Sequence, residues 1–225
     1  MFKFKNISSN DMGVICEEEK NLISRASHRF EEIVVEGRNG SIINDLGYSN
    51  KEKTMNLFIT KPEKINEILS WLNGSGIFEY DNKYTTALFL DVAEPVRTAS
   101  IKTLEIPFKM NPFWYKLNDD YIEATDTIII NEGNANSAPL IKICKNTSDE
   151  IDISINGIIL HYTFNDNEDY VELDCLNYSV TYDGLNRFRN LEMGFQFPYL
   201  NPGENVVVIN SGDPTILFKR KDCWL

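Results

Sequence analysis

From residue 127 to residue 218 the chain places a turn signal every 8–12 residues, with no helical pattern between them. That spacing constrains the fold more than any other feature, because short strands joined directly by turns must stack as sheets in a sandwich or jelly roll. The region is entered through residues 131–142, Asn-Glu-Gly-Asn-Ala-Asn-Ser-Ala-Pro-Leu-Ile-Lys. Glycine and asparagine tolerate positive φ, and Pro139 holds the preceding residue extended. A strand should end near Ile130 and another begin near Leu140. Ile151, Ile153 and Ile155 then alternate up to Asn156-Gly157, a type I′ hairpin signal, with residues 158–160 continuing. Val171, Leu173 and Cys175 point inward from the next strand, and Asp183-Gly184 turns after residues 179–182. Short strands are expected at 195–197, at 206–209 after the Asn201-Pro202-Gly203 turn, and at 215–218.

The first half reads differently. Phe2 and Phe4 alternate with Lys3 and Lys5, as in a half-buried strand. Residues 14–16 read as a short strand after a turn at Asp11-Met12-Gly13, and residues 17–30 as a loop or arm. Ile33-Val34-Val35 stops at Gly37-Arg38-Asn39-Gly40, a hairpin-type turn. Met55, Leu57 and Ile59 share one face of a strand over 54–60. One α-helix is expected at about 61–74: Thr60 with Glu63 has the capping-box pattern, Pro62 lies in the first turn, and Gly74 is placed as C-cap. Its apolar face, Ile65, Ile68, Leu69 and Leu72, should lie across a sheet with Trp71 flanking it. Strands follow at 77–80 and 86–92 around Asp81-Asn82, then one carrying Ile106, Phe108 and Met110. The aromatics of Asn111-Pro112-Phe113-Trp114-Tyr115 suit packing where the chain leaves this domain. Residues 116–125 are polar and aperiodic and read as a linker.

The fold class expected is therefore mainly β, with two tandem β-sandwich-type domains, 1–118 and 119–218, the first covered by one helix. Trp224 beside the carboxyl terminus suits an anchor, so residues 219–225 are expected to leave the second sandwich and pack back on the first domain.

Composition narrows the function. The formal charge is −12, of which residues 121–225 carry −9, so nucleic acid is not expected to be gripped. Cys16, Cys144, Cys175 and Cys223 have no metal-ligand spacing and suit free thiols in a reducing cytoplasm. No apolar run reaches membrane-spanning length, and the alternating start has no apolar h-region.

Chemistry is hard to find. His28 and His161 have no ligand-like pattern beside them, and His161 suits a partly buried strand position. No nucleophile elbow, phosphate loop or zinc-protease motif occurs; Gly74-Ser75-Gly76 ends a helix. Asn165-Asp166-Asn167-Glu168-Asp169 is rich in oxygen ligands but lacks the turn glycine and distal Glu of a calcium loop, so a solvated hairpin tip is the simpler reading. Glu17-Glu18-Glu19 suits a solvated face. No catalytic, cofactor-binding or metal-binding residue is expected, and no enzyme.

Several stretches resemble phage distal tail proteins, the Dit family. Gly133-Asn134-Ala135-Asn136-Ser137-Ala138-Pro139-Leu140-Ile141-Lys142-Ile143 is similar to the run that enters the family's C-terminal galectin-like, or carbohydrate-module-like, sandwich. Ile153-Ser154-Ile155-Asn156-Gly157, Glu172-Leu173-Asp174 and Phe197-Pro198-Tyr199-Leu200-Asn201-Pro202-Gly203-Glu204-Asn205 follow in the family's order. In the first half, Glu36-Gly37-Arg38-Asn39-Gly40, Asp45-Leu46-Gly47-Tyr48, the Trp71-Leu72 helix and Phe78-Glu79-Tyr80 resemble the ring-forming belt domain, and Cys223-Trp224-Leu225 a common ending. The resemblance implies a structural virion protein at the tip of a long non-contractile tail of a phage, a prophage or a tail-like bacteriocin, made in the bacterial host cytoplasm. It implies a homo-hexameric ring between the major tail tube protein and the tail-associated hub of the baseplate, contacting receptor-binding proteins in some phages. No cofactor, no specific nucleic-acid binding and no membrane insertion go with it. The alternative is a carbohydrate-binding module recognising host cell-wall glycan, with Tyr162, Tyr170, Tyr178 and Tyr182 as available stacking faces.

Overall fold

The computed structural model describes residues 1–17, 22–90, 96–98, 101–124, 128–194 and 196–225, with the backbone alone at 96–98 and 101. The chain divides into two compact units, Met1–Leu117 with Leu225, and Asn118–Trp224. The protein is mainly β.

The first unit runs β1 (Phe2–Phe4), β2 (Ile7–Ser8), α1 (Ser9–Met12), β3 (Val14–Cys16), β4 (His28–Val34), β5 (Ser41–Tyr48), β6 (Lys51–Ile59), α2 (Ile65–Trp71), β7 (Gly74–Tyr80), β8 (Lys83–Phe89), β9 (Val96–Thr98), β10 (Ile101–Met110) and β11 (Trp114–Lys116). The principal sheet has the order β2-β1-β7-β8-β10-β6-β3, with β9 on β10 and β11 on β8. Alternation decides which side chains go in. Phe2 and Phe4 of β1, Met55, Leu57 and Ile59 of β6, and Ile106, Phe108 and Met110 of β10 are all buried. Their rings stack: Phe78 lies 5.2 Å from Phe2 and 5.8 Å from Phe108, and Phe89 lies 4.9 Å from Phe108. Trp114 joins this core, 6.1 Å from Phe78 and 1% exposed.

The helix is shorter than its sequence pattern. Pro62–Lys64 forms a 3-10 turn and α2 covers Ile65–Trp71 only. No side chain caps it; the Thr60 hydroxyl donates instead to the Gly13 carbonyl at 2.9 Å. Gly74, at φ 71°, begins β7 rather than capping the helix. Trp71 does not flank the apolar face but belongs to it: the indole is buried, lies 5.7 Å from Phe2, and donates from Nε1 to Phe4 O at 2.7 Å. Leu69 stays half-buried because Ile68, Trp71 and Leu72 fill the inward stripe.

The second unit contains β12 (Ile122–Glu123), β13 (Ile128–Asn131), β14 (Leu140–Cys144), β15 (Glu150–Ile155), β16 (Ile158–Thr163), β17 (Tyr170–Asp174), β18 (Ser179–Tyr182), β19 (Leu185–Asn186), β20 (Leu191–Met193), β21 (Gly203–Ser211) and β22 (Thr215–Lys219). One sheet has the order β12-β22-β14-β17-β18-β19 and the other β13-β21-β15-β16-β20. Ile141, Ile143, Val171, Leu173 and Phe218 from the first meet Ile151, Ile153, Ile155, Leu160 and Val207 from the second in one buried cluster, the packing expected of a sandwich. Both hairpin turns read from sequence have positive φ at both central residues, Asn156-Gly157 (51°, 82°) and Asp183-Gly184 (46°, 75°).

Three expectations need correction. The boundary between the units falls within 116–125, after Leu117, but much of the stretch is structured: Lys116 ends β11, and β12 pairs with β22, Ile122 opposite Phe218, while Tyr121 Oη donates to Glu172 at 3.0 Å. The arm expected at 17–30 gives up 28–30 to β4. The strand expected at 195–197 is replaced by β20, since residues 196–197 are not in a strand. The chain end divides, with residues up to Trp224 grouped in the second unit and Leu225 in the first. Parts of the readings at 17–19, 86–92, 116–125, 127–130 and 195–197 fall on residues outside those described.

Candidate assembly surface

The β4–β5 hairpin is a separate two-stranded sheet. Its turn passes through Gly37 and Gly40, at φ 76° and 75°, positions that glycine fills without strain. Pairing puts Phe30 opposite Asp45, Glu32 opposite Ile43, Ile33 opposite Ile42 and Val34 opposite Ser41, with a register shift between His28 and Phe30. Paired residues share a face, so Phe30, Ile43 and Val34 lie on one face and Ile33 and Ile42 on the other. Neither face is covered: Phe30 is 57% exposed, Val34 77% and Ile43 59%.

Polar contacts hold the ribbon's shape. Ser41 Oγ donates to Glu32 at 2.5 Å, Arg29 Nη2 donates to Leu46 O at 2.9 Å, and Gly47 N donates to Asp45 Oδ1 at 2.7 Å. The Gly47 amide, with lesser help from His28, holds the Asp45 carboxyl below its ordinary range. His28 Nε2 lies 2.9 Å from Asp45 Oδ1, a pairing across strands that linear spacing did not reveal. At the root, His28 packs on Tyr48, and Tyr48 packs edge-on against Phe113.

The second unit shows why its signature residues are what they are. Asn131, 1% exposed, donates from Nδ2 to Ala135 O and Leu200 O and accepts from Gly133 N. Gly133 lies against the chain end: a Cβ there would be 2.1 Å from Cys223 O. Ser137 Oγ donates to Arg220 O at 2.7 Å, and Arg220 pairs with the buried Asp222 at 2.9 Å. Asn205, fully buried, donates to Ile129 O, Asn201 O and Gly203 O, fixing the Pro202-Gly203 turn.

The oxygen-rich run 165–169 is not simply a solvated tip. Glu168 turns inward, 4% exposed, and accepts from Tyr162 Oη at 3.1 Å, Asn165 N at 3.1 Å, Asn165 Nδ2 at 2.7 Å and Arg187 Nε. Burial pushes its carboxyl up, but the Asn165 donors with Arg187 and Tyr162 outweigh that and hold it below the ordinary value. Among the described residues no group of three or more His, Cys, Asp or Glu is placed to hold a metal ion. Of the tyrosines considered as stacking faces, Tyr162 is a core residue, Tyr170 and Tyr182 pack on each other, and Tyr178 is 68% exposed. His161 is half-buried in β16, and the four cysteines are free thiols. No described helix is long and apolar enough to cross a membrane.

Residues 132–221 match the family described as siphovirus-type tail component, C-terminal domain. The solved structure of the SPP1 Dit (gp 19.1) protein, described as a paradigm of hub adsorption apparatus in Gram-positive infecting phages, has 13% identity and a TM-score of 0.75 over 100% of this chain and 98% of that one. A chain of the phage P2 baseplate in its activated conformation with Ca gives 12% identity over 98% and 97%, at a TM-score of 0.46. No curated protein matches the chain in sequence. The family match within the second unit, together with the fold shared with SPP1 Dit, supports a structural component of a phage tail. That match agrees with the resemblance to distal tail (Dit) proteins read from the sequence.

Proposed function

We propose that the protein is a distal tail protein that assembles as a homo-hexameric ring, joining the tail tube to the tail-tip hub, and that its role is architectural rather than catalytic. The observation that carries this reading is the β4–β5 ribbon. A two-stranded sheet is marginal in water by itself, and this one exposes Phe30, Ile33, Val34, Ile42 and Ile43 on its two faces. Such a surface marks an association site. A ribbon of one copy laid on a different surface of the next makes a heterologous contact, and repeated rotation closes such contacts into a ring. The acidic character of the chain supports the reading, since an acidic ring would let DNA pass without adhering. The hub adsorption apparatus to which SPP1 Dit is assigned supports placement at the tail tip.

The test is sedimentation velocity over a wide concentration range, comparing the parent with a Val34→Ser/Ile43→Ser variant. Both positions are exposed, so the variant folds normally. The reading expects parent self-association that the variant loses. Equal self-association of the two contradicts it.

A second reading, glycan recognition, is favoured by one groove on the second unit. It has a volume of about 430 Å³ and is lined by Asn165, Asn186, Arg187, Phe188, Arg189 and Asn190, with the Phe188 ring 44% exposed. Amide and guanidinium donors beside an exposed ring suit sugar hydroxyls. A cell-wall glycan array probed with the full chain and with Phe188→Ala tests it; no signal from the parent removes it.

A further inference from the structure

Lys51 begins β6 on the face that carries Met55, Leu57 and Ile59, and it is only 5% exposed. A buried ammonium is costly unless an opposite charge accompanies it. Among the described residues no carboxylate pairs with Lys51. Its Nζ donates to Ser24 O at 3.0 Å and stands 5.9 Å from the centroid of the Trp114 ring. That indole also keeps its Nε1 buried, with no acceptor among the described residues.

The charged groups described around Lys51 leave it without a partner carboxylate. Lys53, two residues along the same face, repels it. Arg25 approaches from the segment before β4, and Glu52 is engaged by Lys109 of β10 at 2.9 Å. The β10 residue opposite Lys51 is the uncharged Met110. Burial, with Lys53 second, lowers the Lys51 amine to about 8. These groups open on a pocket of about 450 Å³ whose lining includes Ser24, Arg25, Ser49, Lys51 and Lys53, with one carboxylate, Glu52, which pairs with Lys109. It lies at the root of the ribbon, where Ser49 N donates to Ser27 O at 2.9 Å.

We infer that this pocket is an oxyanion site, with the Lys51 ammonium as its buried anchor, Arg25 and Lys53 at its rim, and a single carboxylate or phosphate group as its ligand. The anion supplies a counter-charge that no described residue provides, and serine hydroxyls add neutral donors around it. Two sources share this chemistry, an acidic side chain of a protein partner and free phosphate. The site does not depend on ring formation.

The test uses the full chain, with lysine side-chain nitrogen NMR during separate titrations with inorganic phosphate and with acetate. Saturable binding should raise the Lys51 pKa by at least about one unit, which corresponds to about tenfold preference of the anion for the protonated site. Affinity should fall as pH rises through 8, because only the ammonium attracts the anion. A response to acetate assigns the carboxylate source, and a response to phosphate alone assigns phosphate. Lys51→Met should abolish binding, and Arg25→Gln, at an exposed position that leaves the fold intact, should weaken it severalfold. A Lys51 resonance that moves with neither anion, or unchanged binding in Arg25→Gln and Lys51→Met, overturns the assignment.

Discussion

Asn156 Nδ2 donates to Asn205 Oδ1 at 2.7 Å, joining two turns that lie 49 residues apart. Asn205 Oδ1 also accepts from Asn201 N at 2.7 Å, and its Nδ2 serves three backbone carbonyls. One buried amide thus ties β13, the Asn156-Gly157 hairpin and the Pro202-Gly203 turn together. Asn205→Leu strands several of these partners at once and should destabilise the second unit by about 3 kcal/mol. Asn156→Ala removes fewer and should cost about 1 kcal/mol. Denaturant unfolding monitored on the second unit checks both values and their order.

Glu168 gives the second unit a predictable acid response. Its folded pKa is depressed, so its stabilisation is fully present above the ordinary carboxylate value of 4.5 and is lost as pH falls through the lower folded value. Glu168→Gln removes the titrating group. The variant should be less stable near neutrality and show a shallower loss of melting temperature below pH 4.5 than the parent, measured by calorimetry across pH.

Residues 220–223 are bonded into the second unit. Asn134 N and Ala135 N donate to Cys223 O at 3.1 and 3.3 Å, and Arg220 Nη1 donates to Ile130 O at 2.5 Å. Gly133→Ala would drive a methyl into backbone at 2.1 Å, which no rotamer change relieves, and should cost about 2 kcal/mol or more. Deleting residues 220–225 should likewise lower the second unit's melting transition. Differential scanning calorimetry of the two variants against the parent checks this; an unmoved second-unit transition would contradict the account.

Trp71→Phe tests the helix of the first unit. Phenylalanine keeps the stacking on Phe2 but loses the buried Nε1 bond to Phe4 O, leaving that carbonyl without its side-chain donor. The expected loss is about 1–2 kcal/mol, read from denaturant unfolding of the first unit.

How much was legible in the sequence follows from how each residue is held. Ile151, Ile153 and Ile155, or Ile106, Phe108 and Met110, are buried on one face and exposed on the other, so period-2 alternation found them. Strand β5 was missed because neither face of its ribbon is buried, and a segment without an inside has no alternation to read. The helix was overextended because Thr60 and Gly74 match cap chemistry while tertiary contacts use them otherwise. The inward turn of Glu168 depends on Arg187, 19 residues away, and the isolation of Lys51 on what 24, 25 and 114 bring to it. Neither relationship exists in linear order. The family signatures were legible because Gly133, Asn205 and the Asn156-Gly157 turn are fixed by backbone geometry that few other residues satisfy.

The central claim, a closed ring built by the first unit, is tested most directly by native mass spectrometry with negative-stain imaging of the purified full chain at its highest soluble concentrations. The account predicts a species of six copies of the 25.9 kDa chain, seen end-on as a six-fold ring. A 25.9 kDa monomer at every concentration, or open filaments in place of a closed ring, would contradict it.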